Sequence, residues 1–244
     1  MSEELTTTLI SGWGAPVSMI APVTGTDADH TDPHSLDEDL IHPRETVDDA
    51  AARLLEEAPP ASVWVGWSLG AQVAVAAAHQ APDRVQGVVT LCATPCFVER
   101  DDWPCGMDRD TFDEFHRAAH DTPEREWHRF MLLQIRGDRH ESSARRQLRR
   151  WLNAGPPTYD ATLMDTLGWL ASLDERDRWQ TIPVPSLHLF GDCDQLVSAD
   201  TASHLRSQGM NTALIPDMAH WPWGHYTEEV SERIDRFYHE DVQS

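Results

Sequence analysis

The chain has 244 residues, 40% of them hydrophobic, enough for one sizeable core and too apolar for a disordered polyelectrolyte. Nineteen basic residues, all arginine, face forty-one acids, and the net charge of −22 argues against nucleic acid and anionic membranes as partners. Apolar runs fall short of the roughly 18 residues of a membrane span, and the acidic start MSEELTTT does not read as a secretory signal. Four cysteines (Cys92, Cys96, Cys105, Cys193) lack metal-site spacing and are expected as reduced thiols. The expectation is a cytoplasmic protein without metal or other cofactor.

In chain order, Leu5 to Ile10 is β-prone and runs into the turn Ser11-Gly12-Trp13-Gly14. Val17 to Val23 reads as another short strand, and Thr24 to Arg44 as polar loop. His30, His34 and His42 alternate there with carboxylates, but no helical or hairpin spacing supports a metal site. Thr46 to Glu57 is an amphipathic helix with Thr46 as its cap. Ser62 to Trp67 is a buried strand and Leu69 to His79 an alanine-rich helix. Val85 to Leu91 is a second buried strand, so the order strand, helix, strand predicts a parallel sheet. From Cys96 to about Ile182 the pattern turns helical, with breaks at Pro104, Pro123 and Gly155-Pro156-Pro157, and reads as a lid inserted between strands. The expected division is a core of residues 1–96 and 183–244 around a lid of residues 97–182. Strands resume at Pro185 to Phe190 and Thr212 to Ile215, with helices at Ala199 to Ser207 and Thr227 to Tyr238.

Between the first buried strand and its helix stands Gly66-Trp67-Ser68-Leu69-Gly70, a G-x-S-x-G nucleophile elbow. Its flanking glycines let strand and helix approach, and Ser68 is left at the tip of a strained turn, at the positive end of the helix dipole. A serine hydroxyl needs a base within hydrogen-bond reach. In the α/β-hydrolase arrangement the acid follows the nucleophile and histidine comes last. Asp194 after one strand and His220 after the next fit that order. Asp192 and His225 are rivals; Asp192 lies too close to its strand to reach across freely, and His225 stands five residues further on, beyond Trp221-Pro222-Trp223. The backbone amides of Trp13 and Leu69 are the candidate oxyanion donors. His188, alternating within a strand, reads as a core histidine.

A second signal is electrostatic. Arg125, Arg129, Arg136, Arg139, Arg145, Arg146, Arg149 and Arg150 face only Glu126, Asp138 and Glu141, giving this segment a net +5 in an acidic chain. Pairs spaced by four share helix faces. They read either as a solvated face or as a landing patch for an acidic or phosphorylated partner.

GWSLG, the run APDRVQGVVTLCATPCFVERDDWPCGM, the lid run RFMLLQ, PSLHLFGDCDQLV and the AHWP segment together resemble the pimeloyl-(acyl-carrier protein) methyl ester carboxylesterases of biotin synthesis. The resemblance implies an α/β-hydrolase, a serine esterase that frees methanol and the ω-carboxylate of a carrier-bound pimeloyl methyl ester; a monomer is expected. It implies nucleophile Ser68, acid Asp194 and base His220, with Trp13 and Leu69 as oxyanion amides. It implies an acyl channel lined by Phe130, Met131, Leu132, Leu133 and Gln134. It also implies that Arg125, Arg129, Arg145 and Arg149 meet the acyl carrier protein, the last two matched by spacing alone. The family's usual His-Gly before the oxyanion tryptophan is Ser11-Gly12 here, and the N-terminal region is shorter. A general short-chain carboxylesterase and a non-catalytic binding protein of the same fold are the competing readings.

Overall fold

The computed structural model describes residues 6–24, 45–155 and 161–243. The histidines at 30, 34 and 42, most of the loop read between residues 24 and 44, and the break at Pro156-Pro157 lie outside them.

Among the described residues, five strands form one parallel sheet in which spatial order equals chain order. They are β1 (Thr7–Ile10), β2 (Ser62–Trp67), β3 (Val85–Leu91), β4 (Ser186–Gly191) and β5 (Thr212–Ile215). Every residue of β2 is buried, as its unbroken apolar run requires of a strand covered on both faces. Helix α1 (Val47–Glu57) starts with a reciprocal capping box: Asp49 N–H donates to Thr46 Oγ1, and Thr46 N–H donates to the Asp49 carboxylate. It packs on α2 (Gly70–Gln80), whose small alanines let it sit close on the sheet.

Residues 17–23 correct the sequence reading. They form two short 3-10 turns, Val17–Met19 and Ala21–Thr24, not a strand. Pro16 caps the first and Pro22 lies inside the second. A proline cannot donate to a sheet ladder, and side chains at 17, 19, 20, 21 and 23 are all buried, which a half-covered edge strand would not allow.

Between β3 and β4 come α3 (Arg109–Asp121), α4 (Pro123–Leu133), α5 (Glu141–Ala154), α6 (Ala161–Ser172) and α7 (Arg176–Gln180). Asp108 caps α3 through the Thr111 amide, and Pro123 starts α4, where its missing N–H costs nothing. The chain then adds α8 (Ala199–Ser207) and α9 (Thr227–Phe237), which ends in a π-helical turn through Val242. Among the described residues no helix is long and apolar enough to cross a membrane, and the four cysteines are free.

Candidate active site

The site is built on the carboxyl ends of β2, β3 and β4 and on the loop after β5. At the end of β2 the chain turns so sharply that Ser68 takes a φ of +54°, a left-handed conformation rare outside glycine. Its N–H donates to Leu91 O at 2.9 Å, tying the turn to β3. The flanking glycines are sterically required. A Cβ on Gly66 would stand 2.5 Å from Ala71 Cα, and one on Gly70 would stand 2.4 Å from Ile10 O. Trp67 and Leu69 are buried while Ser68 keeps contact with solvent.

Asp194 and His220 form a pair on the loops after β4 and β5. His220 Nδ1 lies 2.7 Å from Asp194 Oδ2, and both side chains are closed to solvent. The other oxygen, Asp194 Oδ1, accepts the N–H groups of Leu196 (2.8 Å) and Val197 (3.0 Å), so the carboxylate is held from both ends. An ionised Asp194 accepting from Nδ1–H leaves Nε2 as the basic nitrogen. Nε2 is buried and has no hydrogen-bond partner among the described residues, Ser68 Oγ included. The elbow and the histidine loop are joined directly: Trp67 Nε1–H donates to His220 O at 3.1 Å. Catalytic hydrogen bonds to a base commonly tighten only with substrate bound.

The rivals stand elsewhere. Asp192 is exposed, and its Oδ1 accepts the Asp217 N–H at 2.6 Å. His225 is exposed and stacks on His140, ring centroids 3.6 Å apart. Cys92, at the end of β3 with φ +49°, lies within 4.8 Å of the donor atoms of Asp194 and His220. Burial, and secondarily the charge of Asp194, pushes its thiol well up.

The turn at residues 11–14 passes beside Ser68: a Cβ on Gly12 would lie 3.1 Å from Ser68 Cβ. It is pinned from the helical side. Trp13 Nε1–H donates to Leu163 O and Trp127 Nε1–H to Gly14 O, each at 2.7 Å. Neither the Trp13 nor the Leu69 backbone N–H donates to another described residue. Ser11, at the position where the resembled family has histidine, is buried, and its hydroxyl has no partner among the described residues.

An apolar pocket lies between α3, α4 and α6. Phe112, Phe115, Phe130 and Leu133 line it, Leu196 links it to the Asp194 loop, and Arg129 stands at its edge. The edge of Phe130 also meets the Trp13 ring at 5.0 Å. Of the expected run 130–134, only Phe130 and Leu133 line this space. The run is helical, so positions three apart share a face and their neighbours turn away. Met131 and Gln134 are buried, the Gln134 amide against Met131 sulfur at 3.5 Å, and Leu132 is half-buried. Phe112 and Phe115 were not singled out in the sequence; their spacing of three on an amphipathic helix was the available signal.

The arginines divide into two groups. Arg125 and Arg129 both bind Glu126, at 2.8 and 3.4 Å, a carboxylate only 2% exposed while their own side chains are 71% and 65% exposed. Arg145 pairs with Glu141 at 3.1 Å. Arg149 has no ion pair among the described residues and lies on the exposed face of α5, opposite buried Ala144 and Leu148.

A sequence profile described as the Alpha/beta hydrolase family matches residues 10–233. A pimeloyl-(acyl-carrier protein) methyl ester esterase from Klebsiella pneumoniae subsp. pneumoniae is 38% identical over 147 residues, spanning 60% of this chain and 57% of that protein. One of the same name from Xanthomonas campestris pv. campestris is 32% identical over 238 residues, spanning 94% of this chain and 93% of that protein. Among solved structures, a bromoperoxidase from Bacillus anthracis superposes with a TM-score of 0.78 at 18% identity, covering 97% of this chain and 93% of that one. An esterase from Exiguobacterium antarcticum gives 0.77 at 15% identity, covering 100% and 94%. These two show likeness of fold.

Proposed function

The chain belongs to the alpha/beta hydrolase family, among the pimeloyl-(acyl-carrier protein) methyl ester esterases, and from that premise we propose that it is a serine carboxylesterase cleaving the methyl ester of a carrier-bound pimeloyl chain for biotin synthesis. The observation that carries the proposal is the closed Asp194–His220 pair, with Nε2 unpartnered, joined through Trp67 to a serine in a strained turn.

In this reading His220 Nε2 takes the proton from Ser68 Oγ as the oxygen attacks the ester carbonyl. The Trp13 and Leu69 amides receive the oxyanion, a contribution worth about 3–4 kcal/mol per donor in comparable sites. His220 then returns the proton to the departing methoxide, releasing methanol and leaving an acyl ester on Ser68. Water, deprotonated by the same nitrogen, attacks that ester and frees the carboxylate and Ser68. Asp194 keeps the ring in the required tautomer throughout. The cavity beside Phe130 and Leu133 takes the methylene chain, whose burial contributes about 0.8 kcal/mol per CH₂.

Residues 97–182 act in this account as the lid. Arg145 and Arg149 on α5, with Arg125 and Arg129 on α4, form the face for an acidic carrier and its phosphate. Arg125 and Arg129 already share the Glu126 charge, so α5 bears the larger part of the docking. The same reading takes the chain as a cytoplasmic monomer.

The test compares carrier-linked pimeloyl methyl ester with p-nitrophenyl butyrate. Ser68→Ala removes turnover of both. Arg145→Ala with Arg149→Ala raises KM for the carrier-linked ester, more so at low salt, and leaves the small ester unchanged. Equal effects on both substrates would leave a general esterase without a docking face.

A further inference from the structure

The turn between α4 and α5, residues 134–140, is bonded to the loop that carries His220. Asp138 is buried there, only 6% exposed. Its Oδ1 accepts the His140 N–H at 2.6 Å, and its Oδ2 accepts the Ala219 N–H at 3.3 Å. Ala219 is the residue immediately before His220. One residue along, Arg139 N–H donates to Asp217 O at 3.1 Å, and its guanidinium pairs with the Asp217 carboxylate at 2.9 Å. Asp217 holds a φ of +65°, and its carbonyl also accepts the Tyr226 hydroxyl at 2.7 Å. The same turn approaches the acid loop, since a Cβ on Gly137 would lie 3.1 Å from Cys193 O.

A buried carboxylate is costly unless its oxygens are answered. Here they are answered by two backbone amides, one at the start of α5 and one beside the candidate base. Asp194 fixes the ring of His220, and the Ala219 amide beside it is fixed by Asp138. Other contacts on that backbone are Trp67 on the His220 carbonyl, Cys193 N–H on Met218 O at 2.9 Å and the Cys92 thiol on Ala219 O at 3.8 Å, and it packs so closely on Gly191 that a Cβ there would stand 2.2 Å from Met218 O.

We propose that Asp138 is a positioning residue for His220, acting through the Ala219 amide, with the exposed Arg139–Asp217 pair as its reinforcement. The proposal rests on the reading of His220 as the base. It makes the turn joining the two arginine-bearing helices part of the frame of the active site, so that displacement of α4 or α5 reaches the base directly.

Asp138→Asn keeps the shape and one acceptor oxygen but loses the second. Its kcat on p-nitrophenyl butyrate is expected to fall about tenfold, equivalent to about 1.4 kcal/mol of transition-state stabilisation, with KM within about twofold. The rate constant for phosphonylation by a fluorophosphonate should fall in parallel. Arg139→Met removes only a surface pair, retains the fold, and should lower kcat about two- to threefold with KM unchanged. A melting temperature that drops while kcat and the phosphonylation rate of both variants stay at wild-type values would overturn the proposal, leaving Asp138 as a packing anchor. Wild-type protein that neither reacts with the probe nor turns over the ester would remove the underlying reading and the proposal with it.

Discussion

His220 Nδ1 and Asp194 Oδ2 stand 2.7 Å apart in a compartment from which solvent is excluded. That contact, made across 26 residues of sequence, determines which nitrogen of the ring is available for chemistry. Asp194→Asn preserves the shape but presents an amide that can donate to Nδ1, stabilising the tautomer with its proton on Nε2. We expect kcat to fall about 10⁴-fold with KM nearly unchanged, as for the equivalent change in serine proteases. Steady-state kinetics on a chromogenic ester checks this. Asp192→Asn, which alters only the cap on Asp217, should stay within about twofold, in keeping with its exposed position.

The cavity gives a separate expectation. Leu133 lies on its wall and is only half-buried, so Leu133→Trp fills the space without disturbing the sheet. Each methylene excluded should cost about 0.8 kcal/mol, so kcat/KM for octanoate esters should fall by at least about tenfold more than for acetate esters. A chain-length series of p-nitrophenyl esters reads this directly.

The acid limb of stability has an identifiable contributor. His188 in β4 is buried, donates to or accepts from Thr90 Oγ1 at 2.9 Å, and stacks on Trp179 at 5.0 Å. Burial pushes its pKa down from 6.5 to about 3. Above pH 6.5 folded and unfolded chains both hold it neutral. Between that pH and about 3 the unfolded chain takes a proton that the folded chain refuses. Stability therefore falls on acidification through this window, by at most about 1.4 kcal/mol per pH unit from this group. His188→Gln should flatten the slope between pH 6 and 4 in urea titrations, whatever its effect at neutral pH.

Much of this architecture is visible in the residues themselves. The elbow, the all-apolar β2 and β3, and the alanine-rich α2 announce strand, turn and helix because each pattern allows few alternatives. Asp194 and His220 stand out because each follows a strand in the order the elbow requires, and the structure brings them within 2.7 Å of each other. Val17 to Val23 was misread because its branched residues match strand chemistry, while Pro22 decides against it. The face of α4 that lines the cavity was blurred because five consecutive residues were read without their helical phase. Glu126 and Asp138 looked like ordinary opposing charges in an arginine-rich segment. Their burial, one beneath two arginines and one against the Ala219 amide, is set by tertiary packing that local sequence does not encode.

The most direct measurement is covalent labelling. A fluorophosphonate reacts only with a serine whose proton is drawn off by a neighbouring base. On intact protein followed by peptide mass analysis, the account predicts one adduct, on the peptide containing Ser68, absent in Ser68→Ala and formed far more slowly in His220→Ala and Asp194→Asn. An adduct on a different residue, or a Ser68 that reacts equally fast without His220, would contradict it.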